Sequence, residues 1–171
     1  MRDYSEFIRN IQDFPVKGVL FRDITPLLRS FEGFKGVVNE FVKRYEGKKI
    51  DVVAAIDSRG FLFGAPLALE LGIGFVPIRK KGKLPWETIS VTYDLEYGTD
   101  TLEIHKDAVK PGENVLLVDD LIATGGSLLA SAKLIERLGG KIEEIAIVIE
   151  LTELKGRENL SDYPFFSLIK F

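Results

Sequence analysis

Apolar residues recur along this chain in two periods, and the two periods alternate. Residues 51–56, 74–78 and 115–118 are short apolar runs rich in β-branched side chains, the pattern of strands buried on both faces. Residues 34–45 instead carry Phe34, Val37, Val38, Phe41 and Val42 at helical spacing, and 128–138 repeats that spacing. A further helix is predicted from Asp57-Ser58-Arg59-Gly60 through Leu71. Residues 4–11 set Tyr4, Phe7, Ile8 and Ile11 on one side, which predicts a short amphipathic helix broken by Asp13-Phe14-Pro15 and Gly18. Residues 142–150 and 165–169 read as the last strands, with Tyr163-Pro164 as the break between them.

Strand and helix in alternation predict a single α/β domain over residues 1–171, its sheet mainly parallel and covered by helices on both faces. Segment 84–104 departs from that pattern. There Ile89, Val91 and Tyr93 alternate with polar neighbours, Leu95, Tyr97, Leu102 and Ile104 follow, and Gly98-Thr99-Asp100 splits the two halves, which predicts an antiparallel ribbon or long flap. No internal repeat, low-complexity tract or linker is visible.

Composition narrows the chemistry. At 171 residues and 46% hydrophobic the chain can bury one sizeable core. A net charge of -3 gives no overall basic field, so nucleic acid is not expected as a partner; the one local cluster is Arg79, Lys80, Lys81 and Lys83. With no cysteine and one histidine, His105, the chain has no disulfide, thiolate zinc site or multi-histidine centre. A metal is expected to be hard, oxygen-bound and delivered by a substrate. No apolar run approaches the ~20 residues a spanning helix needs, and the first ten residues lack a signal-like apolar core. The expectation is a cytoplasmic protein with no membrane partner.

The stretch N-V-L-L-V-D-D-L-I-A-T-G-G-S at 114–127 concentrates the candidate chemistry, with 119–127 read as a strand-to-helix loop. Ligands of open α/β sheets bind beyond the carboxyl ends of strands, where a following helix presents unpaired N–H groups. Gly125 and Gly126 let the backbone of Ala123-Thr124-Gly125-Gly126-Ser127 close around a phosphate, and the Thr124 and Ser127 hydroxyls add donors. Neither G-x-x-x-x-G-K-[ST] nor G-x-G-x-x-G is present. Asp119 and Asp120 would repel a polyphosphate held there, but they suit the two hydroxyls of a ribose whose 5′-phosphate fills the loop. A bare D-D or G-G would be simply a cap or a turn; the whole ordered string favours binding.

This string resembles the phosphoribosyl pyrophosphate signature of the type I phosphoribosyltransferases. D-F-P-V-K-G-V-L-F-R-D-I-T-P-L-L at 13–28, D-S-R-G-F-L-F-G-A-P-L-A at 57–68, I-R-K-K-G-K-L-P at 78–85, L-E-Y-G-T-D-T-L-E-I-H-K-D-A at 95–108 and L-T-E-L-K-G-R at 151–157 resemble the branch of that family that acts on adenine. The resemblance covers nearly the whole chain, in order. It implies the type I phosphoribosyltransferase fold, with a small hood from about residues 1–30 and a flexible flap at about 80–105. It further implies Mg2+-dependent transfer of ribose 5-phosphate from phosphoribosyl pyrophosphate to adenine, giving AMP and pyrophosphate, in a homodimer.

Residue by residue, the resemblance assigns adenine to Leu20, Phe21 and Arg22, and pyrophosphate to Asp57, Ser58, Arg59, Arg79, Lys80 and Lys83, with an unusual cis peptide in the 57–60 loop. Asp119 and Asp120 hold the ribose, Ala123 to Ser127 the 5′-phosphate, Glu96 exchanges a proton with the base, and Tyr97 helps close the flap. Arg59 joins Glu96, Asp119 and Asp120 in the catalytic set, and magnesium is carried by the substrate without a direct protein ligand. His105 is expected to be exposed or locally hydrogen-bonded, and Trp86 to lie at the flap base. Two alternatives remain open at this level: the same reaction on another purine, and a non-catalytic sensor of phosphoribosyl pyrophosphate.

Overall fold

The computed structural model describes residues 2–94 and 98–171. The chain forms two compact units, Met1–Arg44 and Tyr45–Phe171.

The first unit replaces the expected helix over 4–11 with a 3-10 turn, Ser5–Phe7, and a strand, β1 (Arg9–Gln12), paired antiparallel to β2 (Leu20–Asp23). Eight residues lie below the roughly 12–15 at which an isolated helix holds in water, so the hairpin overrides the helical spacing. Its turn is pinned where the Gly18 N–H donates to Asp13 Oδ1 at 2.6 Å, and the Phe14 ring meets Phe21 edge-on at 5.1 Å. Asp23, buried, accepts from Arg9 Nη2 at 2.6 Å and from the Thr25 N–H at 2.9 Å. Those bonds join β1 to the start of α1 (Thr25–Arg29), which α2 (Phe31–Tyr45) follows.

The second unit follows the predicted alternation. It contains β3 (Val52–Ile56), α3 (Arg59–Leu71), β4 (Gly74–Lys80), β5 (Thr88–Asp94), β6 (Thr99–His105), β7 (Asn114–Ile122), α4 (Gly126–Arg137), β8 (Lys141–Glu150) and β9 (Phe165–Lys170). The seven strands run in the order β5-β6-β4-β3-β7-β8-β9. From β4 to β9 neighbours are parallel; β6 joins β4, and β5 joins β6, antiparallel. The ribbon expected over 84–104 is therefore β5 and β6, and residues 95–97 of that expectation lie outside the described residues.

Alternation along β3 divides the core. Val52, Ala54 and Ile56 join the cluster that packs on Leu128, Leu134 and Ile135 of α4, while Ala55 meets α3 at Gly64. Those three α4 side chains are at most 1% exposed, and each contributes about 1.5–3 kcal/mol by burial. From β3 the chain crosses to β4 on one side, whereas β7 leads to β8 on the other. The order thus reverses between β3 and β7, and the crevice beyond their carboxyl ends is where an open α/β sheet binds ligands.

Candidate active site

β7 runs longer than its apolar core suggests. Its ladder to β8 continues through Asp119↔Ile147 and Leu121↔Ile149 to Ile122↔Glu150, so Asp119 and Asp120 are strand residues and the loop shrinks to 123–125. Pairing with β3 stops at Ala55↔Val118. Past that point one edge of β7 is free, and the start of α3 packs against it at Gly60.

A cleft of about 420 Å³ opens there, lined by residues 56–59, Lys80, Tyr93, Leu102 and 119–128. It gathers Asp57, Ser58, Arg59, Lys80, Asp119, Asp120 and the whole loop Ala123 to Ser127, but not Arg79 and Lys83, which were expected beside them. The Asp57–Ser58 peptide bond is cis. Gly125 takes φ 82° at the N-cap of α4, where no side chain caps the helix. The first-turn N–H groups of α4 are thus left for an anion.

Charges in the cleft are arranged in pairs. Arg59 Nε lies 2.8 Å from Asp120 Oδ2, a charge contact in which that oxygen receives no aligned hydrogen bond. Asp119 and Asp120 are only 8% and 3% exposed. Burial drives the Asp119 carboxyl well above the usual carboxylate range, and the Asp120 charge beside it adds to the rise. Burial raises Asp120 as well, with Arg59 opposing it. Two buried acids with high proton affinity are poised to accept hydrogen bonds from hydroxyl groups that would satisfy their charge.

The remaining cations are braced. Arg79 Nε donates to Asp57 Oδ2 at 2.8 Å and its Nη1 to the Lys83 carbonyl at 3.2 Å; neither Arg79 nor Lys83 lines the cleft. Lys80 does, and its Nζ stands 2.8 Å from Asp100 Oδ2. The hydrogen bond from Lys80 holds the Asp100 carboxyl below its ordinary range. That contribution to stability is complete above the unfolded carboxylate pKa of about 4 and is lost as pH falls through the lowered value. Asp100→Asn is expected to change the neutral-pH melting temperature little, since exposed pairs contribute at most about 1 kcal/mol. It should tighten binding of an anion in the cleft severalfold, because Lys80 loses its counter-charge; an unchanged affinity for inorganic pyrophosphate, used as the probe, would mean that Lys80 does not meet the anion.

Three residues escaped sequence reasoning. Tyr93, a ribbon residue with no predicted role, has its ring against Gly126 and lines the cleft; its place on the apolar side of the alternation is the available signal. Asp100 and Asn159, which bonds the Thr124 carbonyl, gave no signal, because both contacts depend on strands or turns meeting in space. Glu96 and Tyr97 lie outside the described residues. In the first unit Arg22 Nη1 donates to Asn10 Oδ1 at 2.5 Å, Phe21 is half-buried and Leu20 exposed. His105 Nε2 is 2.5 Å from the Pro85 carbonyl, and its ring meets Trp86 edge-on at 6.3 Å, so it ties the end of β6 to the segment before β5.

A glycine loop, a buried carboxylate pair and paired cations at the switch point of a parallel sheet define a phosphoribosyl-transferring class of protein. Residues 30–170 match the family described as the phosphoribosyl transferase domain. The adenine phosphoribosyltransferase of Roseiflexus sp. (strain RS-1) is 54% identical over 167 residues, 98% of this chain and 97% of that one. The crystal structure of the adenine phosphoribosyltransferase from Thermoanaerobacter pseudethanolicus superposes with a TM-score of 0.95 at 56% identity, covering 98% of both chains. The Saccharomyces cerevisiae enzyme, complexed with D-2,5-dideoxy-2,5-imino-altritol 1,6-bisphosphate and adenine, gives 0.91 at 43% identity over 96% of this chain and 98% of that one. The chain belongs to the adenine phosphoribosyltransferases, the pentosyltransferases of purine salvage, and has their type I fold.

Proposed function

We propose that the cleft binds phosphoribosyl pyrophosphate with its 5′-phosphate on the loop 123–127, its ribose hydroxyls on Asp119 and Asp120, and its pyrophosphate toward Asp57, Ser58, Arg59 and Lys80. The single observation behind this reading is that one crevice holds the carboxylate pair, the uncapped start of α4 and two cations. Arg79 and Lys83 act from behind, Arg79 by orienting Asp57.

In the reaction the bond from C1 to pyrophosphate breaks ahead of attack, and its electron pair leaves with the pyrophosphate. The adenine N9 lone pair forms the new bond to C1, and the base gives up a proton, for which Glu96 is the proposed acceptor. The carboxylates under the ribose stabilise the positive charge that develops on the sugar, while Arg59 and Lys80 neutralise the leaving group. Leu20, Phe21 and Arg22 are proposed to receive adenine, with Tyr97 closing the flap; both assignments rest on resemblance of their segments.

Magnesium fits the same reading as a passenger on the donor. It is proposed to arrive on the donor's own oxygens without a direct protein ligand, because Asp119 and Asp120 are given to the ribose hydroxyls; among the described residues no group of three metal-ligating side chains stands together. When bound, the ion neutralises the diphosphate. A homodimer is the proposed assembly: Leu62 and Leu69, seven residues apart on α3, are 40% and 82% exposed, apolar area that a second copy would cover. No helix among the described residues is long and apolar enough to cross a membrane, and the cytoplasm is the proposed location.

The test is AMP formation from adenine and phosphoribosyl pyrophosphate, run beside hypoxanthine and guanine, with and without a chelator. Turnover confined to adenine, lost with chelator and restored by added magnesium, is expected. Turnover on 6-oxopurines alone would overturn the base assignment, and activity indifferent to chelation would overturn the metal's role.

A further inference from the structure

We infer that the 3-10 segment Gly156–Leu160 is the back wall of the phosphate loop and that Asn159 is a positioning residue for the donor's 5′-phosphate. The inference rests on the reading of 123–127 as the phosphate site. Two backbones meet there with no side chain between them. A methyl group at Gly156 would stand 2.2 Å from the Ala123 carbonyl oxygen, and one at Gly125 would stand 2.6 Å from the Gly156 carbonyl oxygen. Asn159 Nδ2 then donates to the Thr124 carbonyl at 2.8 Å.

The segment is brought to this place by its own geometry. Lys155 takes φ 52° and ψ 24°, the left-handed region that a side chain disfavours, and so turns the chain back toward the loop. The Leu151 N–H donates to the Ile122 carbonyl at 3.1 Å, the Thr152 N–H donates to the Phe171 carbonyl at 2.8 Å, and Leu160 is 1% exposed. The chain leading into the wall is therefore tied to β7 and β9, and the far end of the wall is anchored in the core.

Planar peptides convert this into function. In a trans peptide the N–H points opposite to the C=O, so holding the Ala123 and Thr124 carbonyls against the wall aims the Thr124 and Gly125 N–H groups away from it. Residues 123–127 line the cleft, and neither Gly156 nor Asn159 does. The wall thus fixes which way the phosphate donors point without touching the phosphate.

Asn159 is exposed, so its replacement leaves the core intact. Asn159→Ala and the near-isosteric Asn159→Leu, which lacks the donor and adds no charge, are expected to raise KM for phosphoribosyl pyrophosphate about three- to tenfold, the effect of one lost hydrogen bond. Inhibition by ribose 5-phosphate should weaken by the same factor, with KM for adenine, saturating kcat and melting temperature held. Ser127→Ala serves as the control within the loop. If Ser127→Ala weakens the donor and both Asn159 variants do not, the wall has no positioning role. A uniform fall in kcat with a lowered melting temperature would also overturn it. If Ser127→Ala leaves donor affinity unchanged as well, the phosphate site itself is misassigned.

Discussion

Asp119→Asn/Asp120→Asn is expected to lower AMP formation about 10²–10⁴-fold, while Asp119→Asn alone is expected to raise the melting temperature of the ligand-free protein at neutral pH. Hydrogen bonds to a charged group contribute about 1.5–3 kcal/mol each, and the double variant weakens two of them at the sugar whose charge develops in the reaction. Stability moves the other way because the native site is unfavourable for the acid itself. Asp119 is buried beside a second carboxylate, so its proton affinity in the folded state lies well above the unfolded value of about 3.9.

For such a group the folded state is not penalised below the unfolded pKa, and the penalty grows to its full size as pH rises through the folded pKa. Asparagine removes that penalty and still accepts, through Oδ1, from the Asp120 N–H, now at 2.9 Å. The gain in melting temperature should therefore be largest near pH 7 and vanish toward pH 4. Thermal scans across that range check the sign. A lower melting temperature at neutral pH would refute the burial argument, and double-variant turnover within tenfold of the parent would refute the ribose-holding role.

Gly60→Ala is expected to lose both stability and activity, against the usual direction for a helical glycine. Alanine is preferred over glycine in a helix interior by up to about 1 kcal/mol. Here the added methyl would stand 2.8 Å from Asp119 Oδ1, 3.1 Å from the Val118 carbonyl oxygen and 3.3 Å from the Asp119 Cα. Overpacking of that kind costs about 1–3 kcal/mol, and β7 cannot retreat while its ladder to β8 holds, so the clash outweighs the propensity. Asp119 must shift, and a displacement near 1 Å can cost about a hundredfold in rate. A melting temperature lower by a few degrees, with kcat/KM for the donor down at least about tenfold, is the expected pair of results. A variant that is more stable and fully active would mean that the contact relaxes freely.

Much of the second unit was legible in the sequence because its strands and helices carry their own periodicity. Residues 52–56 and 115–118 are buried on both faces and must be apolar throughout, while α3 and α4 need one apolar stripe each, and these demands are written locally. The turn at 123–125 was legible for a different reason: a tight entry into α4 with Gly125 at φ 82° needs glycine there. The short helix expected over 4–11 was not, because its apolar spacing suits either structure and only pairing with β2, across a turn, decides between them.

The sequence by itself determined the α/β class and the presence of a glycine loop directly after a carboxylate pair, since each depends on residues adjacent in the chain. Tertiary structure alone decided that β7 continues through Asp120, because that length is set by the partner strand β8 rather than by composition. It likewise decided that Arg79 braces Asp57, that Lys80 meets Asp100 and that Gly156 and Asn159 back the loop. Each of those contacts joins segments about twenty or more residues apart. Their distances are fixed by sheet order and packing, which no local pattern of residues records.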